Sequence, residues 1–129
     1  MTSSVLILIV EDEPEIQLVL QASFEDGGFE VFMASNEEEA FAALNAKGNT
    51  VHALLTDIRL GRNSTGWDVA KYGRQLNPDL PVVYMTGGDG DGWASLGVPN
   101  SVLVTKPFAP AQVLIAVSQL LNVGNTPVA

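Results

Sequence analysis

Near its amino terminus the chain reads Val5-Leu6-Ile7-Leu8-Ile9-Val10-Glu11-Asp12-Glu13-Pro14, an unbroken apolar run that gives way to acids and a proline. A run with no polar residue at alternate positions is typical of a strand buried on both faces in a parallel sheet. Pro14 suits the first turn of a helix, because its missing N–H costs little there. The acids beside it suit the positive end of the helix dipole. This stretch therefore predicts a strand that leads directly into a helix.

The strand-then-helix pattern recurs along the chain. The first helix is expected to place its apolar positions at helical spacing and to end at Gly27-Gly28. The residues that recur at this spacing are the apolar Ile16, Val19, Leu20 and Phe24 and the small Ser23. Further strands are predicted over 29–34, 51–56, 81–86 and 101–105. Helices are predicted from Glu37-Glu38-Glu39 to Gly48-Asn49, from about 67 to 76, and from 110 to about 121.

Strands separated by helices indicate right-handed βαβ units. Five such strands in 129 residues predict an α/β fold, namely a doubly wound, flavodoxin-like sheet of five parallel strands. We expect one domain over residues 1–129, with a core from about 4 to 121 and a flexible tail over 122–129. Residues 87–99 are rich in glycine, which disfavours a helix interior. The fourth helix is therefore expected to be degenerate, either a short turn near Trp93–Leu96 or a mobile loop.

Composition excludes several classes of function. Fifteen acids against six lysines and arginines give a formal charge of −9, and eleven of those acids lie within residues 1–57. Binding to nucleic acid or to an anionic membrane is disfavoured by this charge. No cysteine and one histidine exclude disulfides, thiolate catalysis and cysteine or multi-histidine metal sites. The apolar run Val5–Val10 is too short for a membrane span or a signal-peptide core, so we expect a cytoplasmic protein.

Chemistry-bearing residues follow four of the predicted strands. Sites in a doubly wound sheet form at the carboxyl ends of the strands. This rule brings Glu11-Asp12, Asp57, Thr86-Gly87 and Lys106 to one rim. Three carboxylates repel one another, and Lys106 offsets one charge; a hard cation with oxygen ligands, such as Mg²⁺, is the natural remedy for the rest. A carboxylate beside Mg²⁺ can attack phosphorus, and the Thr86 hydroxyl and Gly87 N–H could bind phosphoryl oxygens.

Four short motifs, in this order, carry a family resemblance. They are Val-Glu-Asp-Glu at 10–13, Leu-Leu-Thr-Asp at 54–57, Met-Thr-Gly at 85–87 and Thr-Lys-Pro-Phe at 105–108. Together they resemble the receiver domain of two-component response regulators, over about residues 4–121, and the chain is similar to chemotaxis-type regulators that consist of one domain. The resemblance implies a phosphorylation switch. Asp57 would accept a phosphoryl group from a histidine kinase or a histidine phosphotransfer protein, and the domain would catalyse its own phosphorylation and dephosphorylation.

The resemblance also implies a role for each residue of the rim. Asp12 and Asp57 would ligate Mg²⁺ together with the backbone carbonyl of Arg59, and Glu11 would hold a metal-bound water. Lys106 would pair with Asp57 before phosphorylation and with the phosphoryl group afterwards. Thr86 would bind a phosphoryl oxygen and draw its loop inward. The downstream partner is an unknown protein.

The chain departs from the family pattern in its output region. Many receivers carry an aromatic residue three positions before the lysine, where this chain has Leu103. Tyr84 is not expected to replace that aromatic, because it lies deeper in the sheet on the face that carries Thr86. Thr86-Gly87-Gly88 resembles a receiver subgroup that has Thr-Gly here and no switch aromatic. We hypothesise that signalling uses order and disorder in residues 87–99.

The loop after Asp57 also departs from the pattern. Gly61 stands where a proline is usual, and the loop 59–66 is about one residue longer, with Thr65-Gly66 where Asp-Gly is common. Arg59 and Arg62 could attract the phosphoryl donor or could be solvated loop charges.

Other prominent residues have ordinary interpretations. His52 is expected at a strand edge or on the surface, and Trp67 and Trp93 are expected to serve in packing. The run Glu37-Glu38-Glu39 is interpreted as a solvated helix start.

Several functional alternatives remain open. A stand-alone receiver would act by protein contact, by phosphorelay or as a phosphate sink, and the chain could instead be a module excised from a hybrid sensor kinase. A pseudo-receiver would keep the fold without being phosphorylated, but the full set of site residues argues against it. A phosphohydrolase with an aspartyl-phosphate intermediate usually carries a second acid two residues after its nucleophile, and this chain has Arg59 at that position. A flavodoxin requires a phosphate-binding loop after the first strand, and this chain has acids there that would repel the phosphate.

Overall fold

The computed structural model describes residues 5–61, 65–88 and 92–123. Strands and helices alternate along the whole of this part of the chain, as the sequence predicts. The strands are β1 (Leu6–Val10), β2 (Glu30–Ala34), β3 (Val51–Asp57), β4 (Val82–Thr86) and β5 (Val102–Thr105). The helices are α1 (Pro14–Asp26), α2 (Glu37–Lys47), α3 (Gly66–Leu76), α4 (Trp93–Leu96) and α5 (Pro110–Val123).

The five strands form one parallel sheet in the order β2-β1-β3-β4-β5. The predicted α/β fold, a doubly wound sheet of five parallel strands, is confirmed. The register aligns the carboxyl ends, because Val10 pairs with Thr56 and Thr86 pairs with Thr105. Residues that follow these strands are therefore placed at one level, at one edge of the sheet.

Alternate residues of the strands enter two separate cores. Leu8 and Val10 of β1 lie in a cluster with α2 and α3, whereas Ile7 and Ile9 lie in a cluster with α1 and α5. All four side chains are fully buried. Helices on both faces explain why the strand sequence is a continuous apolar run.

Local signals fix the helix ends where they were expected. α1 begins at Pro14, and Gly27 follows its last residue. Asn36 caps α2, because its side chain accepts a hydrogen bond from the Glu39 N–H. Thr65 caps α3 in the same way through the Asp68 N–H.

Three details differ from the sequence prediction. Val19, expected on the covered side of α1, is about half exposed (48%), because Leu20 and Phe24 are the residues of this turn that face the sheet. α5 continues to Val123, so residues 122 and 123 are helical rather than part of a tail. Residues 124–129 lie outside the described part of the chain. Trp93, expected to serve in packing, is 37% exposed on the four-residue helix α4.

The expected weakness of the fourth helix is confirmed by its length of four residues. Residues 89–91, which belong to the same glycine-rich segment, lie outside the described residues. Across the described ranges, none of the helices is long and apolar enough to cross a membrane.

Candidate functional site

The predicted residues meet at the carboxyl edge of the sheet. Glu11 follows β1, Asp57 ends β3 and Thr86 ends β4, and the structure buries all three side chains. Asp12 is exposed beside Glu11, and Lys106, after β5, is partly buried. The structure therefore brings together the side chains that the sequence assigned to one rim.

Three carboxylates form the centre of the site. Oxygen atoms of Glu11, Asp12 and Asp57 all lie within 4.8 Å of one another. Burial raises the pKa of Glu11 to about 7, and the negative charge of Asp57 acts in the same direction. The Glu13 N–H, which donates to Oε2 of Glu11 at 3.0 Å, and the Lys106 ammonium limit this rise in pKa. Such a group of oxygen donors fits a hard divalent cation.

Lys106 supplies the positive charge of the site. Its Nζ lies 2.8 Å from Oδ2 of Asp57 and 3.1 Å from Oε1 of Glu11. Burial alone would lower the pKa of Lys106, but the hydrogen bonds and charges of Asp57 and Glu11 outweigh it and raise the pKa. The Lys106–Pro107 peptide bond is cis.

Glu13 is a third carboxylate at the same ammonium, which the sequence did not assign to the site. Its Oε1 lies 3.8 Å from Nζ of Lys106, although its side chain is 62% exposed. From the sequence, Glu13 is expected only among the acids at the start of α1. Its position directly after the Glu11-Asp12 pair is the signal that could have placed it at the mouth of the site.

The loop after β3 orients Asp57. Oδ1 of Asp57 accepts a hydrogen bond from the Arg59 N–H at 3.3 Å. The chain then returns, because Arg59 and Thr65 form an antiparallel bridge and the Gly66 N–H donates to the Ile58 carbonyl at 2.7 Å. A Cβ atom on Gly66 would lie 2.2 Å from the Asp57 carbonyl oxygen, so only glycine fits this return. Arg59 is exposed, and Arg62 lies outside the described residues.

Thr86 and the two glycines after it line the other wall. Oγ1 of Thr86 accepts a hydrogen bond from the Gly88 N–H at 3.1 Å. The Lys106 N–H donates to the Thr86 carbonyl at 2.7 Å, which joins this wall to the lysine. The resulting cleft has a volume of about 410 Å³. Its lining residues are Asp12, Glu13, Asp57, Arg59, Thr86, Gly87, Gly88 and Lys106.

Tyr84 lies deeper than Thr86 on the same face of β4, as predicted, and is fully buried. Its hydroxyl accepts a hydrogen bond from the Val98 N–H at 3.1 Å. Its ring packs edge-to-face against Trp67, with the ring centroids 4.7 Å apart. Leu103, at the position of the usual aromatic, packs partly buried against the same core. Trp67 is therefore a packing residue, as expected.

The acidic start of α2 lies in the first helical turn, and Glu38 and Glu39 are exposed there as expected, whereas Glu37 is half-buried. Oε2 of Glu37 accepts a hydrogen bond from the Thr65 N–H at 3.3 Å, and Oε1 of Glu39 accepts one from the Ser35 N–H at 2.7 Å. Glu38 is exposed, as is His52, whose Nδ1 accepts a hydrogen bond from the Leu6 N–H at 2.9 Å. The expected surface position of His52 is confirmed.

Comparison with known proteins gives a consistent result. The family model of the response regulator receiver domain matches residues 7–118. The alkaline phosphatase synthesis transcriptional regulatory protein PhoP of Bacillus subtilis is 32% identical over 118 residues, which are 90% of this chain and 48% of that protein. The chain spans about half the length of the curated relatives it matches.

Two solved structures illustrate the likeness in three dimensions. A response regulator receiver protein from Sinorhizobium medicae is 39% identical, with a TM-score of 0.89 over 94% of this chain and 97% of that chain. The solution NMR structure of the PhyR response regulator REC domain from Erythrobacter litoralis is 29% identical, with a TM-score of 0.82 over 98% of this chain and 97% of that chain.

Proposed function

The chain belongs to the response regulator receiver domain family, a family of regulatory phosphoacceptor domains, and from that premise we propose that Asp57 is its phosphoacceptor. The observation that carries this proposal is the environment of the Asp57 carboxylate. It is buried at the end of β3, one oxygen is held by Lys106 and the other by the Arg59 N–H. A carboxylate held at both oxygens beside an open cleft is oriented for attack on phosphorus.

The phosphoryl donor is a phosphohistidine of a histidine kinase or a histidine phosphotransfer protein. An Asp57 carboxylate oxygen forms a bond to phosphorus while the bond from phosphorus to the histidine nitrogen breaks. The imidazole leaves with the electron pair of that bond. In the dephosphorylation step, a water molecule attacks phosphorus, the bond from phosphorus to the Asp57 oxygen breaks and inorganic phosphate leaves. The catalytic groups for both steps belong to the receiver domain itself, and the donor protein supplies only the phosphohistidine.

The acidic cluster fits the Mg²⁺ that this family generally binds, since its ligands are carboxylate oxygens within 4.8 Å of one another. We assign Asp12, Asp57 and the backbone carbonyl of Arg59 as its direct ligands, with Glu11 holding a metal-bound water. Bound Mg²⁺ would neutralise negative charge on the transferring phosphoryl group. The single positive charge of Lys106 cannot balance four carboxylates. Glu11, Glu13 and Asp57 contact its ammonium, and Asp12 lies beside Glu11 and Asp57.

Lys106, Thr86 and Gly87 would bind the phosphoryl oxygens. Lys106 already donates to Asp57, so it needs only a small shift to reach an oxygen bonded to phosphorus. The bond from the Gly88 N–H uses a lone pair of the Thr86 hydroxyl. The hydroxyl hydrogen is therefore suited to a phosphoryl oxygen, and the Gly87 N–H lines the same cleft.

We propose that phosphorylation of Asp57 is signalled to the partner protein by a change of order in residues 87–99. Rotation of an aromatic ring at position 103 is not involved. Leu103 has no ring to rotate, and Tyr84 is fixed by full burial and by the Val98 N–H. The helix α4 has only four residues and none of them is buried, so movement of Thr86 can change the order of this segment. Hydrogen exchange with and without beryllofluoride, a phosphoryl mimic, tests this step, and unchanged protection of residues 87–99 would contradict it.

The experiment that tests the phosphoacceptor combines intact-mass spectrometry with a small donor. The full chain is incubated with acetyl phosphate and Mg²⁺, and the expected product is a single phosphoryl adduct that is stable in acid and lost in base. Asp57→Asn should give none, while Asp79→Asn, an exposed control at the opposite end of the sheet, should react like the wild type. An undiminished adduct on Asp57→Asn would contradict the assignment.

A further inference from the structure

The three glutamates at the start of α2 have three different environments. Glu39 is used in the helix cap, because its carboxylate accepts the Ser35 N–H at 2.7 Å. The Glu38 side chain is exposed and, among the residues that the structure describes, makes no hydrogen bond. Glu37 is half-buried and reaches out of its own helix to the Thr65 N–H, 28 residues along the chain. Glu37 is thus the one of the three that joins α2 to the loop beside the phosphoacceptor.

Thr65 is held at this point by several contacts. Its hydroxyl oxygen caps α3 by accepting the Asp68 N–H, and its backbone pairs with Arg59 in the antiparallel bridge. The hydrogen bond that closes this bridge runs from the Gly66 N–H to the Ile58 carbonyl, so it leaves the Thr65 N–H for another acceptor. Glu37 provides that acceptor, because its Oε2 lies 3.3 Å from the Thr65 nitrogen.

Arg59, on the other side of the bridge, contacts the site directly. Its N–H donates to Oδ1 of Asp57, and the residue lines the cleft that also contains Asp12 and Asp57. A continuous series of contacts therefore runs from the Glu37 carboxylate through Thr65 and Arg59 to the Asp57 carboxylate. Residues 62–64 of the intervening loop lie outside the described part of the chain, and none of these contacts involves them.

We propose that Glu37 is a positioning residue for the cation site: it fixes the bridge between Arg59 and Thr65, so that the Arg59 carbonyl and the Asp57 carboxylate keep the spacing that Mg²⁺ requires. This inference rests on the ligand set given under the proposed function. Mg²⁺ demands nearly ideal octahedral geometry, so loosening one backbone ligand weakens binding even when every ligand remains present. Glu37 contacts neither the cleft nor, in this account, the ion.

The test is the affinity for Mg²⁺ itself, measured by calorimetric titration of the full chain. Glu37→Ala removes the acceptor and is expected to raise the Kd for Mg²⁺ about 10-fold. Glu37→Gln removes the charge but keeps a carbonyl oxygen that can accept the Thr65 N–H, so its Kd should stay within about 2-fold of the wild type. Glu38→Ala removes the same charge from the same helical turn and should not change the Kd.

Amide hydrogen exchange gives a second readout that does not depend on the ion. Without Mg²⁺, the Thr65 and Arg59 amides should exchange faster in Glu37→Ala than in the wild type and in Glu37→Gln. Equal losses of affinity in Glu37→Ala, Glu37→Gln and Glu38→Ala would show a general charge effect and overturn the proposal. Unchanged affinity and exchange in Glu37→Ala would also overturn it. A wild type that binds no Mg²⁺ would instead overturn the proposed ligand set.

Discussion

Lys106 reaches across the sheet to Asp57, and its Nζ lies 2.8 Å from Oδ2 of the aspartate. Lys106 follows β5 and Asp57 ends β3, and these two strands are separated in the sheet by β4. The same ammonium lies 3.1 Å from Oε1 of Glu11, so the positive charge of Lys106 is paired with two buried carboxylates. This arrangement makes Lys106 the electrostatic centre of the unphosphorylated site.

Replacing Lys106 should therefore destabilise the fold when no divalent cation is present. Lys106→Met leaves Glu11 and Asp57 without their common partner, and the free energy of unfolding should fall by about 3 kcal/mol. Urea denaturation in the presence of a chelator measures this change. Added Mg²⁺ should restore part of the loss. Lys71→Met, at an exposed position of α3, is the matched control, and an equal effect there would count against the account.

The raised pKa of Glu11 predicts how stability depends on pH. Burial raises this pKa to about 7, so the folded chain holds a proton over a range of pH where the unfolded chain has released it. Stability should therefore increase as the pH falls from about 8 to about 6 without divalent cations. Thermal unfolding across this range checks the sign. Glu11→Gln should remove most of the dependence, and a wild-type stability that falls towards pH 6 would contradict it.

The buried hydroxyl of Tyr84 should contribute measurably to stability. Tyr84→Phe leaves the Val98 N–H without its acceptor inside the protein, which should cost about 2 kcal/mol of unfolding free energy. Tyr72→Phe removes a hydroxyl that bonds to Asn45 at a more exposed place, and it should cost clearly less. Chemical denaturation of both variants makes the comparison, and equal losses would show that burial of the Tyr84 hydroxyl is not decisive.

Gly66 should tolerate no side chain. Its Cβ atom would lie 2.2 Å from the carbonyl oxygen of Asp57, so Gly66→Ala must move either α3 or the end of β3. We expect a loss of about 3 kcal/mol in unfolding free energy and slower phosphorylation of Asp57. Gly88→Ala is the stability control, because the nearest atom to its Cβ would be 3.8 Å away. A normal stability for Gly66→Ala would be inconsistent with this close approach.

Much of the fold could be predicted from local features of the sequence. The apolar runs at 5–10 and 51–56 predict buried strands whichever helices cover them, and Pro14 marks a helix start through its own chemistry. Once the strands are parallel, their carboxyl ends coincide, so the meeting of Glu11, Asp57 and Lys106 follows from topology.

Contacts that depend on the packed structure could not be predicted. The bond from Thr65 to Glu37 joins residues 28 positions apart through a loop whose path no local pattern specifies. Glu13 contacts Lys106 through two long side chains, with 3.8 Å between Oε1 and Nζ, and no local pattern specifies their conformations. The exposure of Val19 escaped prediction because α1 also carries an apolar residue at Leu18, which is 73% exposed, so spacing alone does not identify the covered face.

The central claim, that Asp57 accepts the phosphoryl group in a Mg²⁺-dependent reaction, is tested most directly by mapping the modified residue. The chain is treated with acetyl phosphate and Mg²⁺ and then reduced with borohydride, which converts an aspartyl phosphate into homoserine. Peptide mass spectrometry should find homoserine at position 57, and a chelator should abolish it. Homoserine at another aspartate, or an unmodified Asp57 in a chain shown to bind Mg²⁺, would contradict the account.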